Sequence, residues 1–284
     1  MAYKRDYLDP LIFMTMASFW ALNYSVLKLA LNFEPPFVTL FFRVLFALIT
    51  SLIFALPYSS SLKYISFLDT FVLGFFNIFL FMGLWFLGEQ VEPASISSIL
   101  VYTYPIISVL LSIVFLNEKL NLSRIFGLLF GFSGIVLIAF RNLRTGGLLG
   151  IFLLLAAALS WSIGTTYFKK RLDKVNVHTV NFLQYAFALP LVGIISLTET
   201  FKPLQWPFVF YTFYMGFFGT SIAYLIYLYL VSKHGIVKTN PYLFMVPVLG
   251  TIFSLLINHE GLSAFTIGGL ILVGVGVYLS FSDR

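Results

Sequence analysis

The residues best suited to recognise a small molecule fall at matched places in two segments of the chain. Trp20, Asn23 and Tyr24 are followed by Arg43, while Trp161 and Thr165 stand where a second segment repeats the first. An arginine in apolar surroundings favours a bidentate carboxylate partner. An asparagine there must find hydrogen bonds or lose them, and tryptophan and tyrosine supply apolar walls with one polar edge each. Further mid-segment polar and aromatic residues extend the set: Asn77, Phe81, Trp85 and Tyr102 in the first half, and Tyr224, Tyr227, Asn240 and Tyr242 in the second. This is chemistry for holding a substrate. Bond-making chemistry has no comparable basis: no HExxH, no GxSxG and no pair of mid-segment aspartates occurs. The histidines, His178, His234 and His259, fall at segment ends, and the absence of cysteine excludes disulfides, thiolate catalysis and cysteine–metal sites. The expectation is a binding protein that is not an enzyme, with no cofactor and no metal.

The elements that carry these residues are apolar throughout. Hydrophobic residues make up 60% of the chain and charged residues 10%, with a mean hydropathy of +0.97. A soluble domain carries about 25% charged residues to build its wetted surface, so the lipid bilayer is the expected solvent. Crossing ~30 Å of hydrocarbon takes ~20 apolar residues. Ten such spans are expected, at roughly 11–31, 36–57, 66–88, 94–116, 122–140, 147–169, 177–197, 207–231, 236–257 and 263–281. The connections are short and leave no soluble domain. The first span belongs to the repeat and is not expected to be a cleaved signal.

The chain aligns on itself. Residues 18–43 match 159–184 without a gap, pairing Trp20 with Trp161, Lys28 with Lys169, Phe41 with Phe182 and Arg43 with Gln184. Residues 104–134 match 246–276, pairing Pro105 with Pro247, Glu118 with Glu260, Gly127 with Gly269 and Gly134 with Gly276, and Gly74-Phe75-Phe76 recurs as Gly216-Phe217-Phe218. Ten spans divide into two units, 1–144 and 145–284. Because each holds an odd number of spans, the second must be inverted. Transporters of this build bind substrate near the bilayer midplane between the repeats, where Trp20 and Trp161 are expected. Pro105 and Pro247 interrupt the fourth and ninth spans, since proline removes a backbone donor; each is a fixed kink or a hinge. Ala17, Ala21 and Ser25, with their mates Ala158, Ser162 and Thr166, form small-residue stripes for close helix packing. Gly127 and Gly131 form a GxxxG that would serve packing or support a homodimer, and a monomer stays equally open.

The net charge of +6 comes without a basic stripe or nucleic-acid motif, so nucleic acid is not an expected partner. It reflects orientation. With the N-terminus inside, Lys4, Arg5, Lys63, Lys119, Arg124, Lys169, Lys170, Arg171, Lys174, Lys233, Lys238 and Arg284 lie on one face, against Arg141, Arg144 and Lys202 on the other. Basic residues stay on the cytoplasmic side during insertion, so both termini are expected there, in a multi-pass protein of the cytoplasmic membrane. Arg43 lies inside the second span, where a charge costs about 2.5–3.5 kcal/mol on insertion scales. It is either a clamp for a substrate carboxylate or a structural partner of a helix end, Glu89 or Glu92. Lys28 sits about a turn from the end of its span, within snorkelling reach of the interface. No carboxylate lies at mid-span, which favours facilitated diffusion or exchange over proton coupling. Glu118 and Glu260, at span ends, are expected to pair with a neighbouring lysine or cap a helix.

The run Phe19-Trp20-Ala21-Leu22-Asn23-Tyr24-Ser25-Val26-Leu27-Lys28, then Phe41-Phe42-Arg43, resembles the opening of EamA-type members of the drug/metabolite transporter superfamily. Pro105, Leu116-Asn117-Glu118-Lys119-Leu120, Gly127 and Gly134 resemble the end of the same unit, and Pro247, Glu260 and Gly269 its second copy. The second copy departs from the pattern at Gln184 and at Asn258-His259-Glu260-Gly261, so the two halves need not act alike. The resemblance implies a ten-helix carrier with spans one, three, four, six, eight and nine around a cavity and spans five and ten peripheral. It implies small metabolites as substrates, often amino acids, and frequently export. The alternatives are a proton-coupled drug or metabolite exporter and, further off, a channel or lipid scramblase. Neither a ring of charge nor a filter-like loop supports a channel.

Overall fold

The computed structural model describes residues 8–92, 94–139, 147–258 and 264–281. Every regular element among them is helical: α1 (Leu8–Ala30), α2 (Pro36–Ala55), α3 (Phe67–Val91), α4 (Ala94–Val101), α5 (Tyr104–Leu116), α6 (Leu122–Ala139), α7 (Leu148–Arg171), α8 (Val177–Ser196), α9 (Trp206–His234), the single turn α10 (Ile236–Thr239), α11 (Met245–Asn258) and α12 (Ala264–Phe281). Seven helical segments are long and apolar enough to cross a membrane: Asp9–Ala30, Pro36–Lys63, Phe67–Val91, Ile96–Leu116, Leu148–Arg171, Val177–Ser196 and Trp206–His234. The apolar stretches of α6 and α12 are shorter, and the ninth expected span is divided into α10, a 3-10 segment at Asn240–Phe244, and α11. Among the described residues, seven segments qualify as crossings by length and apolarity, against the ten expected. The chain is an integral, multi-pass membrane protein. The boundary at residue 144, together with Lys4, Arg5, Arg141, Arg144, His259, Glu260 and Arg284, lies outside the described residues.

The prolines start helices. Pro105 occupies the first turn of α5 and Pro247 the first turn of α11, where the missing N–H has no helical partner to lose. The interruption lies just upstream, at Tyr102–Thr103 and at the 3-10 segment Asn240–Phe244.

Two other irregularities were not expected. Phe75–Leu80 inside α3 and Phe217–Ile222 inside α9 are π-helical turns, and they occupy repeat-equivalent positions. A π turn inserts a residue into the i→i−4 ladder and recurs at functional sites.

The repeat mates exchange partners. A Cβ on Gly74 would stand 2.5 Å from the carbonyl oxygen of Gln184, and one on Gly216 would stand 2.6 Å from that of Arg43. Since Gly74 matches Gly216 and Arg43 matches Gln184, these are one contact made twice with the halves interchanged. The α6–α12 contact repeats the pattern. A Cβ on Gly134 would lie 2.7 Å from the Gly269 oxygen, and one on Gly276 would lie 2.7 Å from the Gly127 oxygen. The same interface takes up Gly127 and Gly131. Their faces are filled by Gly276 and Ser280 and by Phe244 of the same chain, so the GxxxG is consumed internally. The stripe on α1 also falls short: Ala17 and Ala21 are buried but Ser25 is exposed. A spacing of four on a helix of 3.6 residues per turn rotates away from the contact with each step. Ala158, Ser162 and Thr166 are all buried.

Gly276→Leu should cost about 3 kcal/mol or more, because overpacking here strikes backbone that cannot yield. Its melting temperature in detergent should fall by several degrees. Gly274→Leu, two residues away with nothing within 4 Å of its Cβ position, should melt like the parent.

Candidate functional site

The two repeat-matched tryptophans meet. Trp20 of α1 and Trp161 of α7 pack edge to face with ring centroids 5.4 Å apart. Phe81 of α3 and Tyr104 of α5 lie parallel to Trp161, at 4.7 and 3.7 Å. Offset and edge-on pairs of this kind add about 0.5–1.5 kcal/mol each beyond the area buried. The π turn of α9 explains the position of Trp20. Freed from the regular ladder, its carbonyls accept side-chain donors: Gly219 O from Trp20 Nε1 at 3.0 Å and Asn23 Nδ2 at 3.3 Å, Thr220 O from the Tyr185 hydroxyl at 3.1 Å, and Ser221 O from Asn181 Nδ2 at 2.9 Å. The π turn of α3 is held by Ser160, whose hydroxyl donates to Phe76 O at 2.7 Å, and by Tyr224, whose hydroxyl donates to Asn77 O at 3.4 Å.

Beside this aromatic group lies a small cavity lined by Trp20, Asn23, Tyr24, Arg43, Phe81, Met82, Trp85, Val101, Tyr102, Trp161 and Tyr224. Its volume is about 20 Å³, room for about one water molecule. A metabolite enters only if these side chains part. Arg43 is 1% exposed. Its Nε donates to Thr220 Oγ1 at 2.7 Å, and its guanidinium lies over Trp85 and Phe86, at 5.3 and 5.5 Å from the ring centroids. Its Nη1 has no hydrogen-bond partner in the protein, and neither do Asn23 Oδ1, Glu89 Oε1 or Trp161 Nε1. Native proteins leave few buried polar atoms unmet, and three of these four belong to residues that line the cavity, Arg43, Asn23 and Trp161.

Nine of the expected site residues line this cavity: Trp20, Asn23, Tyr24, Arg43, Phe81, Trp85, Tyr102, Trp161 and Tyr224. Thr165, Tyr227 and Asn240 do not. They form a hydrogen-bonded chain that runs from Thr165 Oγ1 to the Tyr104 hydroxyl at 3.0 Å, on to the Tyr227 hydroxyl, and from there to Asn240 Oδ1 at 3.0 Å. Asn240 Nδ2 continues the chain to Ser108. Asn77 packs against Gly164, and Tyr242 packs against Phe13 at 5.8 Å; neither lines the cavity. Sequence reasoning missed Met82, Val101, Tyr104 and Ser108. Tyr104 carried a signal, since it opens the matched stretch that contains Pro105.

Lys28 does not snorkel. Its Nζ donates to the carbonyl oxygens of Glu89 at 2.8 Å and Glu92 at 3.3 Å, capping the end of α3, while its mate Lys169 donates to Ser232 O at 2.8 Å near the end of α9. Cations belong at helix C-termini. Glu118 caps a helix as expected, accepting from the backbone N–H groups of Ile236 and Val237 at 3.1 and 2.8 Å.

Matched glycines, tryptophans and π turns around one small site are features of the whole chain, and so is its likeness to known proteins. The profile of the EamA-like transporter family matches twice, at residues 10–140 and 148–282. The chain belongs to the EamA-like transporter family. Among EamA relatives, it is 28% identical to the uncharacterized transporter YvbV of Bacillus subtilis (strain 168), over 92% of this chain and 87% of that one. It is 22% identical to a probable amino-acid metabolite efflux pump of Escherichia coli (strain K12), over 96% of this chain and 94% of that one. A solved crystal structure superposes with a TM-score of 0.80 at 19% identity, covering 96% of both chains, which speaks to the fold. EamA proteins are transporters, and this chain is one.

Proposed function

We propose that the protein is a secondary carrier of ten membrane passes, two inverted five-helix repeats meeting at residues 144/145, with both termini cytoplasmic in the cell membrane. It works by alternating access at a site between Trp20 and Trp161. The exchanged contacts support the inversion: Gly74 with Gln184 against Gly216 with Arg43, and Gly134 with Gly269 against Gly276 with Gly127. The positive-inside distribution supports the orientation. The substrate class is amino acids or related amphipathic metabolites carrying a carboxylate, moved outward by facilitated diffusion or exchange. The observation that carries this reading is Arg43: fully buried, lining the cavity, and holding an unpartnered Nη1. A buried guanidinium with a free donor is suited to a carboxylate. The efflux-pump name of two relatives agrees with it.

The test is counterflow in proteoliposomes, scanning radiolabelled amino acids. Saturable trans-stimulation by one class is the expected result; unsaturable flux, or none, would end the carrier reading. A second reading, proton-coupled export, is favoured by Glu89, a carboxylate fully buried within α3. Accumulation against the substrate gradient when a pH gradient is imposed would establish it, and gradient-independent equilibration would exclude it.

A further inference from the structure

We infer that Glu89 is the cation-recognising half of a bipolar site whose anion-recognising half is Arg43, so that the carrier requires substrates bearing both an ammonium and a carboxylate group. This rests on the carrier reading above and deepens it.

Six charged side chains are buried among the described residues: Glu34, Arg43, Asp69, Glu89, Glu92 and Arg124. Glu34 accepts the Lys202 N–H, Glu92 the Gly147 N–H, and Asp69 bonds Tyr167 and Arg171. Arg124 lies in the first turn of α6, away from the cavity. Arg43 and Glu89 are the two that meet the same cavity-lining side chain, Trp85. They carry opposite charge and each keeps a buried polar atom, Nη1 and Oε1, without a partner. The Arg43 guanidinium lies 5.3 Å from the Trp85 ring centroid, while Trp85 Nε1 donates to Glu89 Oε2 at 2.5 Å. Among the described residues no ion pair within 4.0 Å joins the two. An α-amino acid carries the complement of each, a carboxylate for the arginine and an ammonium for the glutamate, both suited to charge-assisted hydrogen bonds of about 2.7–2.9 Å.

Lys28 is the competing partner for Glu89, but its Nζ is turned to the backbone oxygens of Glu89 and Glu92. Tyr24 lines the same cavity and its ring packs on Trp85 at 5.1 Å, so the two charged heads share an aromatic wall. A substrate lacking its ammonium leaves Glu89 buried and unmet, and the loss of a buried charge partner is what discriminates.

The experiment takes the best-transported amino acid from the proteoliposome scan, with its des-amino carboxylate and its decarboxylated amine as competitors of counterflow. In the parent protein the amino acid should compete at least about 30-fold better than either analogue. Glu89→Gln should raise KM for the amino acid by a similar factor while its weak inhibition by the des-amino carboxylate stays within about twofold, and Glu89→Asp should recover part of the loss. Equal competition by the carboxylate alone would overturn the bipolar site while leaving the carrier intact. An unchanged KM in Glu89→Gln would do the same. Failure of the parent to move any amino acid would overturn the carrier reading, and this inference with it. The competitor series reads the requirement in the parent protein, so it decides the matter even if Glu89→Gln fails to fold.

Discussion

Arg43→Gln is expected to give a folded protein that no longer exchanges its carboxylate substrate. The substitution is a conservative one by the molecule's own standard, since Gln184 fills the matching place in the second half and is fully buried there. If Arg43 holds a substrate carboxylate, losing that charge-assisted contact costs about 3 kcal/mol of binding, or roughly 100-fold in KM. The effect on stability should have the opposite sign. Seating a charge within a span costs about 2.5–3.5 kcal/mol, and one guanidinium hydrogen bond to Thr220 with two ring contacts returns only part of it. Thr220 stays satisfied in the variant because its hydroxyl donates to Met215 O at 2.8 Å. The melting temperature of Arg43→Gln should therefore equal or exceed that of the parent. A purely structural arginine predicts the reverse: lower stability, with transport intact in whatever protein survives. Measuring both on one preparation separates the two roles without knowing the substrate beforehand.

How far the site was legible follows from which physics the sequence displays. Periodic apolarity located the helices to within a few residues, and the self-alignment paired Trp20 with Trp161, which the structure brings into contact. The π turns were not legible. Gly74-Phe75-Phe76 and Gly216-Phe217-Phe218 read as ordinary apolar helix, and nothing in residue type announces one inserted residue. Their consequences were hidden with them: the carbonyls of Gly219, Thr220 and Ser221 becoming acceptors for Trp20, Asn23, Tyr185 and Asn181. Thr165, Tyr227 and Asn240 were placed in the cavity by depth in the membrane, which fixes height but not the facing direction; they turned toward Tyr104 and Ser108 instead. Glu89 was read at the outer face, as a structural partner for Arg43 rather than a site residue, for the opposite reason. Two residues from the end of α3, it looked solvated, yet Trp85 and the capping Lys28 hold that end inside the protein.

The second large effect is expected where the two halves interlock through asparagine and glycine. A Cβ on Gly219 would strike the Asn23 amide, and a Cβ on Gly164 would strike the Asn77 amide. Asn23 matches Gly164 in the repeat and Asn77 matches Gly219, so this too is one contact made twice with its members exchanged. Gly164→Ala and Gly219→Ala should each cost about 1–3 kcal/mol, the usual penalty of overpacking. Their rescues should differ. Neither polar atom of the Asn77 side chain has a hydrogen-bond partner in the protein, so Asn77→Gly makes room for Gly164→Ala at little polar cost, and the double variant should recover most of the lost melting temperature. Asn23 donates to Gly219 O, and deleting it forfeits that bond, worth about 1 kcal/mol. Gly219→Ala with Asn23→Gly should recover only part. A double-mutant cycle at each contact reads the difference as unequal coupling energies. Equal rescue at both would mean that the Asn23 hydrogen bond contributes nothing net, and no rescue at either would mean that the clash is with backbone. The inequality also bears on transport. A contact held by hydrogen bonding in one half and by packing alone in the other opens more easily on the packing side, so Asn77→Ala should raise the counterflow rate and Asn23→Ala should lower the melting temperature.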